Sequence, residues 1–162
     1  MRLHIVRKDN IVPGAGWYFG KFARRTVPTQ RIIVAVVDND ASMRVGLERL
    51  LQARGFGTEV FESAEAFLAA ASAADCLLLD IHLGGMSGFD LRRRLASAGS
   101  PLPVIFMTAF DDEAARHEAT SLGCVAYLRK PFVGQLLMDA IAEATGQARS
   151  GKPVPPYCTQ GQ

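Results

Sequence analysis

Five short strand-like runs, each closed by a polar or charged residue, alternate with segments of helical periodicity between residues 32 and 146. The first, Ile32-Ile33-Val34-Ala35-Val36-Val37, is continuous, β-branched and ended by acids, a pattern that suits a strand buried on both faces of a parallel sheet. Met43, Leu47, Leu50 and Leu51 then recur at i, i+4, i+7 and i+8 and predict a helix. Asp40 or Ser42 can cap its start and Gly55 can end it. The alternation repeats with a short strand over Thr58–Phe61 and an Ala-rich helix opened by Ser63 and running through Ala71. Cys76–Asp80 is an apolar strand ending in an acid, and Ser87 leads into a helix with Leu91, Leu95 and Ala98 on one face. Pro103–Met107 predicts a fourth strand, followed by Thr108. Asp111, Asp112 and Glu113 form an acidic first turn that favours a helix start, which Gly123 would end. Val125–Leu128 is the fifth strand, and Phe132, Leu136, Leu137, Ala140, Ile141 and Ala144 form a last helical stripe after Pro131.

Five strands alternating with five helices over about 115 residues define a doubly wound α/β fold with a five-stranded parallel sheet and right-handed crossovers. No internal repeat is visible. Residues 147–162, with their Gly, Pro and polar residues, read as a flexible C-terminal tail. Residues 1–31 read as a basic N-terminal extension, carrying Arg2, Arg7, Lys8, Lys21, Arg24, Arg25 and Arg31 against Asp9 alone. Val27 is a candidate alternative start, which would leave residues 1–26, with the Trp17-Tyr18-Phe19 cluster, ahead of the native chain.

Composition narrows the function classes. At 162 residues and 49% hydrophobic content, the chain can form one domain with a real core. No apolar run reaches the ~20 residues that span a bilayer, and the leader lacks the apolar core of a secretory signal, so a cytoplasmic protein without membrane contact is expected. Cys76, Cys124 and Cys158 are too scattered for a metal ladder, and their odd number argues against a disulfide framework. Cys76 and Cys124 read as buried thiols. The basic leader is short and matches no nucleic-acid motif, so direct DNA binding is not expected. The run Arg92-Arg93-Arg94 reads as a solvated helix face.

In a doubly wound fold, chemistry gathers beyond the carboxyl ends of the strands. That rim receives Asp38, Asn39 and Asp40 from the first strand, Asp80 from the third, Thr108 and Ala109 from the fourth, and Lys130 and Pro131 from the fifth. Carboxylates are ligands for Mg²⁺, which takes hard oxygen donors and keeps several waters. A carboxylate attacks phosphorus only when negative charge is neutralised, a task for the metal and Lys130. Thr108 can donate a hydrogen bond to a phosphoryl oxygen, and Ala109 leaves room for the group.

VVDND, LLLDIHLGGMSGFDL, FMTA and YLRKPF stand in the order and spacing of bacterial response-regulator receivers, and the resemblance covers residues 32–146. It implies the flavodoxin-like (βα)5 receiver fold of two-component phosphorelay proteins, here of the single-domain type. It further implies that Asp80 is the phosphoacceptor and that Asp38, Asn39, Asp80 and the backbone carbonyl of His82 hold Mg²⁺. By the same resemblance Thr108 and Lys130 sense phosphate, Tyr127 is the aromatic switch, and the Lys130–Pro131 bond is cis. The implied donor is a sensor histidine kinase or a histidine phosphotransfer protein. With no second domain after residue 146, output is expected through protein contacts, on a face built from the fourth helix, fifth strand and fifth helix, or through passing the phosphoryl group onward. The protein is expected to be a monomer or weak dimer. It is not expected to be an enzyme beyond self-phosphorylation from a donor and autodephosphorylation.

Two departures and two other readings remain. The family usually has two acids after the first strand, and the second is Asn39 here, so Mg²⁺ binding is expected to be weakened rather than lost. GGMSG lacks the proline common in that loop. The His82 side chain borders the pocket, where it either influences the hydrolytic water or stays idle. Asn39 gives weight to a phosphorylation-independent binding module on the same fold. Asp38-Asn39-Asp40-Ala41-Ser42 also resembles the DxDx[TV] opening of haloacid-dehalogenase-type phosphatases, with Asp38 as nucleophile and Asp40 as general acid. That reading leaves Asp80 and the YLRKPF spacing unexplained and reverses the order of the acidic pair Asp111-Asp112 and the lysine.

Overall fold

The computed structural model describes residues 31–147. The readings made for residues 1–30 and 148–162, including the basic extension, the start at Val27, Cys158 and nearly all of the tail, lie outside the described residues. The elements follow one another as β1 (Ile33–Val37), α1 (Ala41–Ala53), β2 (Gly57–Phe61), α2 (Ala64–Ala69), β3 (Cys76–Asp80), α3 (Gly88–Ser97), β4 (Val104–Thr108), α4 (Glu113–Ser121), β5 (Ala126–Arg129) and α5 (Gly134–Ala144). The strands form one sheet in the order β2-β1-β3-β4-β5, and every pairing is parallel. This is the doubly wound α/β fold expected from the alternation of runs.

The central strands β1, β3 and β4 bury both faces, and side-chain alternation divides their residues between two cores. Val34, Val36, Cys76, Leu78, Ile105 and Met107 pack with Leu47 and Leu51 of α1 and with Leu137, Ala140 and Ile141 of α5. Ala35, Val37, Leu77, Leu79, Val104 and Phe106 pack on the opposite face with Phe67 of α2, Phe89 and Leu91 of α3 and Ala119 of α4. Helices α1 and α5 therefore cover one side and α2, α3 and α4 the other. Neighbouring β1 and β3 carry crossovers to opposite sides, so the switch point lies between them. Asp38 follows one of these strands and Asp80 ends the other.

Local signals explain most boundaries. Asp40 caps α1, its Oδ1 accepting from Ser42 N at 2.8 Å and Met43 N at 3.2 Å. Ser63, Ser87 and Asp112 cap α2, α3 and α4. Gly55 and Gly123 follow α1 and α4 at φ of 89° and 68°, where a side chain would be strained. Several expected boundaries need correction. Helix α2 stops at Ala69 rather than Ala71, because Ser72 Oγ and Ala73 N bind the Glu59 carboxylate of β2 and pull the chain out of the helix. Strands β4 and β5 each lie one residue later than expected, in the register that pairs Val104 with Leu77 and Ala126 with Ile105. Phe132 precedes α5 rather than opening it.

Two side-chain readings also change. Cys76 is buried, and burial raises its thiol pKa to about 12, whereas Cys124 is only half-buried. Of the arginine run, Arg92 Nε donates to Leu122 O at the end of α4, and Arg93 pairs with Asp90 and with Glu118 of α4. Arg93 and Arg94 are exposed, as a solvated face requires, and Arg92 is half-buried. Among the described residues no helix is long and apolar enough to cross a membrane.

The start of α3 lies directly on the end of β3. Gly88 N donates to Ile81 O at 3.0 Å, and a Cβ on Gly88 would meet Asp80 O at 2.3 Å and Ile81 Cα at 3.0 Å. Backbone atoms cannot swing away as a flexible side chain can. Gly88→Ala is therefore expected to destabilise the domain by about 1–3 kcal/mol in urea unfolding. An unchanged midpoint would show that α3 can retreat from Asp80 without cost.

Candidate functional site

Each member of the site is delivered by the end of a strand. Asp38 follows β1 and is fully buried; Asp80 ends β3 and is 4% exposed. Lys130 follows β5, where its backbone N–H donates to Thr108 O at 2.7 Å. From there its ammonium reaches back between the two carboxylates, donating to Asp38 Oδ2 at 2.6 Å and Asp80 Oδ1 at 2.7 Å. The Lys130–Pro131 peptide bond is cis. Burial alone would lower the lysine pKa, but the bonds to Asp38 and Asp80 outweigh it and hold the pKa above its usual 10.5.

The remaining carboxylate oxygens are held by backbone. Asp38 Oδ1 accepts from Asp40 N at 2.9 Å, and Asp80 Oδ2 accepts from His82 N at 3.0 Å. Arg44, in the first turns of α1, donates to Asp38 O at 2.7 Å and fixes the β1–α1 loop from above. On the next loop, Glu65 of α2 accepts from Met86 N at 2.9 Å and ties the segment after Asp80 to α2. That bond comes first among the causes that lower the Glu65 pKa.

Thr108 is fully buried at the end of β4. Its hydroxyl donates to Phe110 O at 2.8 Å and accepts from Phe110 N at 3.1 Å, with His82 Nδ1 3.4 Å away. The hydroxyl is thus engaged with the β4–α4 loop rather than with Asp80. Phe110 is 70% exposed and meets the His82 ring edge-on at 5.5 Å. Ala109 and Pro131 are exposed beside Thr108 and Lys130.

Tyr127 points into the core under α4, and its hydroxyl is buried with no hydrogen-bond partner among the described residues. An unmet buried hydroxyl costs about 1–3 kcal/mol. The Asp111 carboxylate lies nearby. Burial first, and that carboxylate second, raise the Tyr127 pKa to about 12.

The donor set at the site suits a hard divalent cation only in part. Two buried carboxylates converge, but among the described residues no three His, Cys, Asp or Glu side chains do. Asn39 is exposed at the start of the β1–α1 loop, and Asp40, the one acid that could stand in for it, is occupied as the α1 cap. Asp38 and Asp80, with neutral oxygens such as the Asn39 amide and the His82 carbonyl, fit an ion that keeps several of its own waters.

Residues 34–142 match the sequence profile of the response regulator receiver domain. The chain belongs to that family. The receiver domain is 38% identical over 117 residues to the transcriptional regulatory protein FixJ of Bradyrhizobium diazoefficiens, a match covering 71% of this chain and 57% of that protein. It is 31% identical over 145 residues to the response regulator protein TmoT of Ectopseudomonas mendocina, covering 88% and 66%. The solved structure of FixJ-N superposes with a TM-score of 0.67 at 32% identity, covering 75% of this chain and 98% of that one. A response regulator receiver protein from Burkholderia phymatum gives 0.64 at 38% identity, covering 72% and 96%. The chain spans between about half and two thirds of the length of the curated relatives it matches.

The receiver fold therefore brings Lys130 into direct contact with both Asp38 and Asp80, and Thr108, Tyr127 and Asn39 take no part in those bonds. Arg44, Glu65, Phe110 and the backbone amide of His82 carry no motif in the sequence, and Asp111 stands there only as part of an acidic helix start. Arg44, on the helix that Asp40 caps, could have been suspected by spacing; Glu65 carried no local signal.

Two expectations follow. A lysine whose folded pKa lies above its unfolded value contributes stability that is complete below the unfolded pKa and lost as pH rises through the folded one. The stability difference between wild type and Lys130→Met should hold constant from neutral pH to about pH 9 and shrink only in more alkaline buffer. A decline already between neutral pH and about pH 9 would contradict the bridge. Asn39→Asp, which restores one negative charge, should tighten Mg²⁺ binding about tenfold. Equal affinities in a Mg²⁺ titration would show that position 39 does not face the ion.

Proposed function

We propose that this receiver domain accepts a phosphoryl group on Asp80 from a sensor histidine kinase or a histidine phosphotransfer protein, and signals through the change in its own surface that follows. Receiver domains partner with histidine kinases and typically use Mg²⁺ for phosphorylation. The observation that carries the reading is the Lys130 ammonium shared by Asp38 and Asp80, two buried carboxylates at the switch point of the sheet.

A carboxylate oxygen of Asp80 attacks the phosphorus of phosphohistidine. The P–N bond breaks, the imidazole leaves with the electron pair, and an acyl phosphate forms. Lys130 orients Asp80 before the transfer and offsets the added charge afterwards, when one negative charge on the side chain becomes about two. Asp38 and Asp80 would hold Mg²⁺, which would add positive charge beside the phosphoryl oxygens. Gly88 and the Glu65–Met86 bond hold the loop that carries the nucleophile. Thr108 must release Phe110 O before its hydroxyl can donate to the phosphoryl group, and that exchange carries the signal toward α4. The output face is that of α4, β5 and α5.

Asn39 supports a second reading, a receiver used as a binding module without phosphorylation. The phosphatase reading loses its general acid, since Asp40 caps α1.

Incubation with Mg²⁺ and acetyl phosphate, followed by intact mass measurement, separates these readings. The wild type should gain one phosphoryl group and Asp80→Ala none. No gain in the wild type would favour the binding module. A gain that survives Asp80→Ala would remove Asp80 from its role.

A further inference from the structure

Helix α4 is held differently at its two ends. It is nine residues long, and Ala119 is its one buried residue. A short helix with so little apolar burial depends on what grips its ends. At the C-terminal end, Gly123 N donates to Thr120 O at 3.0 Å and Cys124 N to Ala119 O at 3.2 Å. Those bonds do not use the carbonyl of the C-cap residue, Leu122. It accepts instead from Arg92 Nε of α3 at 3.1 Å. The guanidinium lies beside Gly123, where an added Cβ would come within 3.9 Å of Nη2. A cation there also meets the negative end of the helix macrodipole, and α4 has no basic residue in its own last turn. Arg93 adds an ion pair to Glu118, but half of its side chain is exposed, and such pairs contribute little.

We propose that Arg92 caps α4 from the neighbouring helix and makes the C-terminal end of α4 a fixed pivot, about which the N-terminal end moves. The base of the cap is firm. Phe89 and Leu91 bury α3 in the core, the Phe89 ring meets Phe106 edge-on at 5.0 Å, and Gly88 lies against the backbone of Asp80 and Ile81. The N-terminal end hangs instead from the β4–α4 loop, where the Thr108 hydroxyl holds both backbone groups of Phe110. That grip can be released from the pocket, whereas the Arg92 bond does not touch the pocket. Arg92 is thus a positioning residue of α4, and the inference rests on the phosphoacceptor reading only for its trigger.

Native-state hydrogen exchange of the full chain, read amide by amide, tests the pivot without any ligand. The ends of helices ordinarily fray. Here, after correction for intrinsic rates, residues 122–124 should be protected about tenfold more than His117 and Glu118. Arg92→Met, which keeps an apolar stem and removes the donor, should cut protection at residues 122–124 about tenfold, the size of one hydrogen bond from a charged group. Protection in β1 and β3 should stay as it is. Arg93→Met should cut protection at residues 122–124 by no more than about twofold. Beryllofluoride with Mg²⁺, used as a phosphoryl mimic, should alter exchange at residues 110–116 and leave residues 122–124 as they were. In Arg92→Met the response should spread to the C-terminal end.

Wild-type protection at residues 122–124 that is no greater than at His117 and Glu118 overturns the pivot. Unchanged protection in Arg92→Met, or an equal loss in Arg93→Met, overturns the cap. A wild-type response to beryllofluoride as large at residues 122–124 as at residues 110–116 also contradicts the proposal. Should Arg92→Met fail to fold, Arg92→Gln, which is shorter and uncharged, carries the same comparison. Failure of the phosphoacceptor reading shows separately, as absence of mass gain and of any response to beryllofluoride, while the ligand-free comparison still decides the cap and the pivot.

Discussion

One ammonium between two buried carboxylates sets the terms for the rest of the domain. Lys130 reaches both Asp38 and Asp80 across separations of 92 and 50 residues in sequence. Leaving either carboxylate buried without a counter-charge would cost about 3–5 kcal/mol. The cluster still carries one net negative charge, since two carboxylates face one cation. It is tolerated because the second oxygen of each acid takes a backbone N–H, from Asp40 and from His82. The arrangement is therefore stable enough to exist at rest and negative enough to attract a further cation.

The sheet makes this cluster possible. Parallel strands present all their carboxyl ends on one edge, and the order β2-β1-β3-β4-β5 sets β1 and β3 side by side. Helices α1 and α3 leave the neighbouring strand ends on opposite faces, so the crevice between them stays open while the walls are packed. The same edge carries Thr108 and Lys130, joined through the backbone by Lys130 N and Thr108 O. Any motion of the β4–α4 loop is therefore only one strand away from the ammonium, and Tyr127 lies three residues before it on β5.

The fold was largely legible because its central strands bury both faces. A strand such as Cys76–Asp80 is a continuous apolar run with an acid at its end, and its limits were read to the residue. Helix α2 was not, since an Ala-rich run has high helix propensity wherever it stands, and the Glu59 contact that ends it comes from another strand. At the site, Asp38, Asp80, Thr108 and Lys130 were legible as strand-end residues. Their mutual contacts were not, because no local pattern relates residues so far apart. Asp40 shows the limit clearly: a cap and a metal ligand look alike in sequence, and only the Ser42 and Met43 amides decide between them. The partnership of Asp111 with Arg116 was hidden in the same way, its acid having been read as part of an acidic helix start.

The central claim is that Asp80, and not its buried neighbour Asp38, carries the phosphoryl group. Borohydride reduces an aspartyl phosphate to homoserine and leaves a free carboxylate untouched. After reaction with acetyl phosphate and Mg²⁺, reduction and proteolysis, the mass of the peptides reports which acid was modified. Homoserine at position 80, with position 38 still aspartate, is the result that the Lys130-centred site requires. Homoserine at position 38, or reduction at neither position in protein that has gained a phosphoryl group, would contradict it.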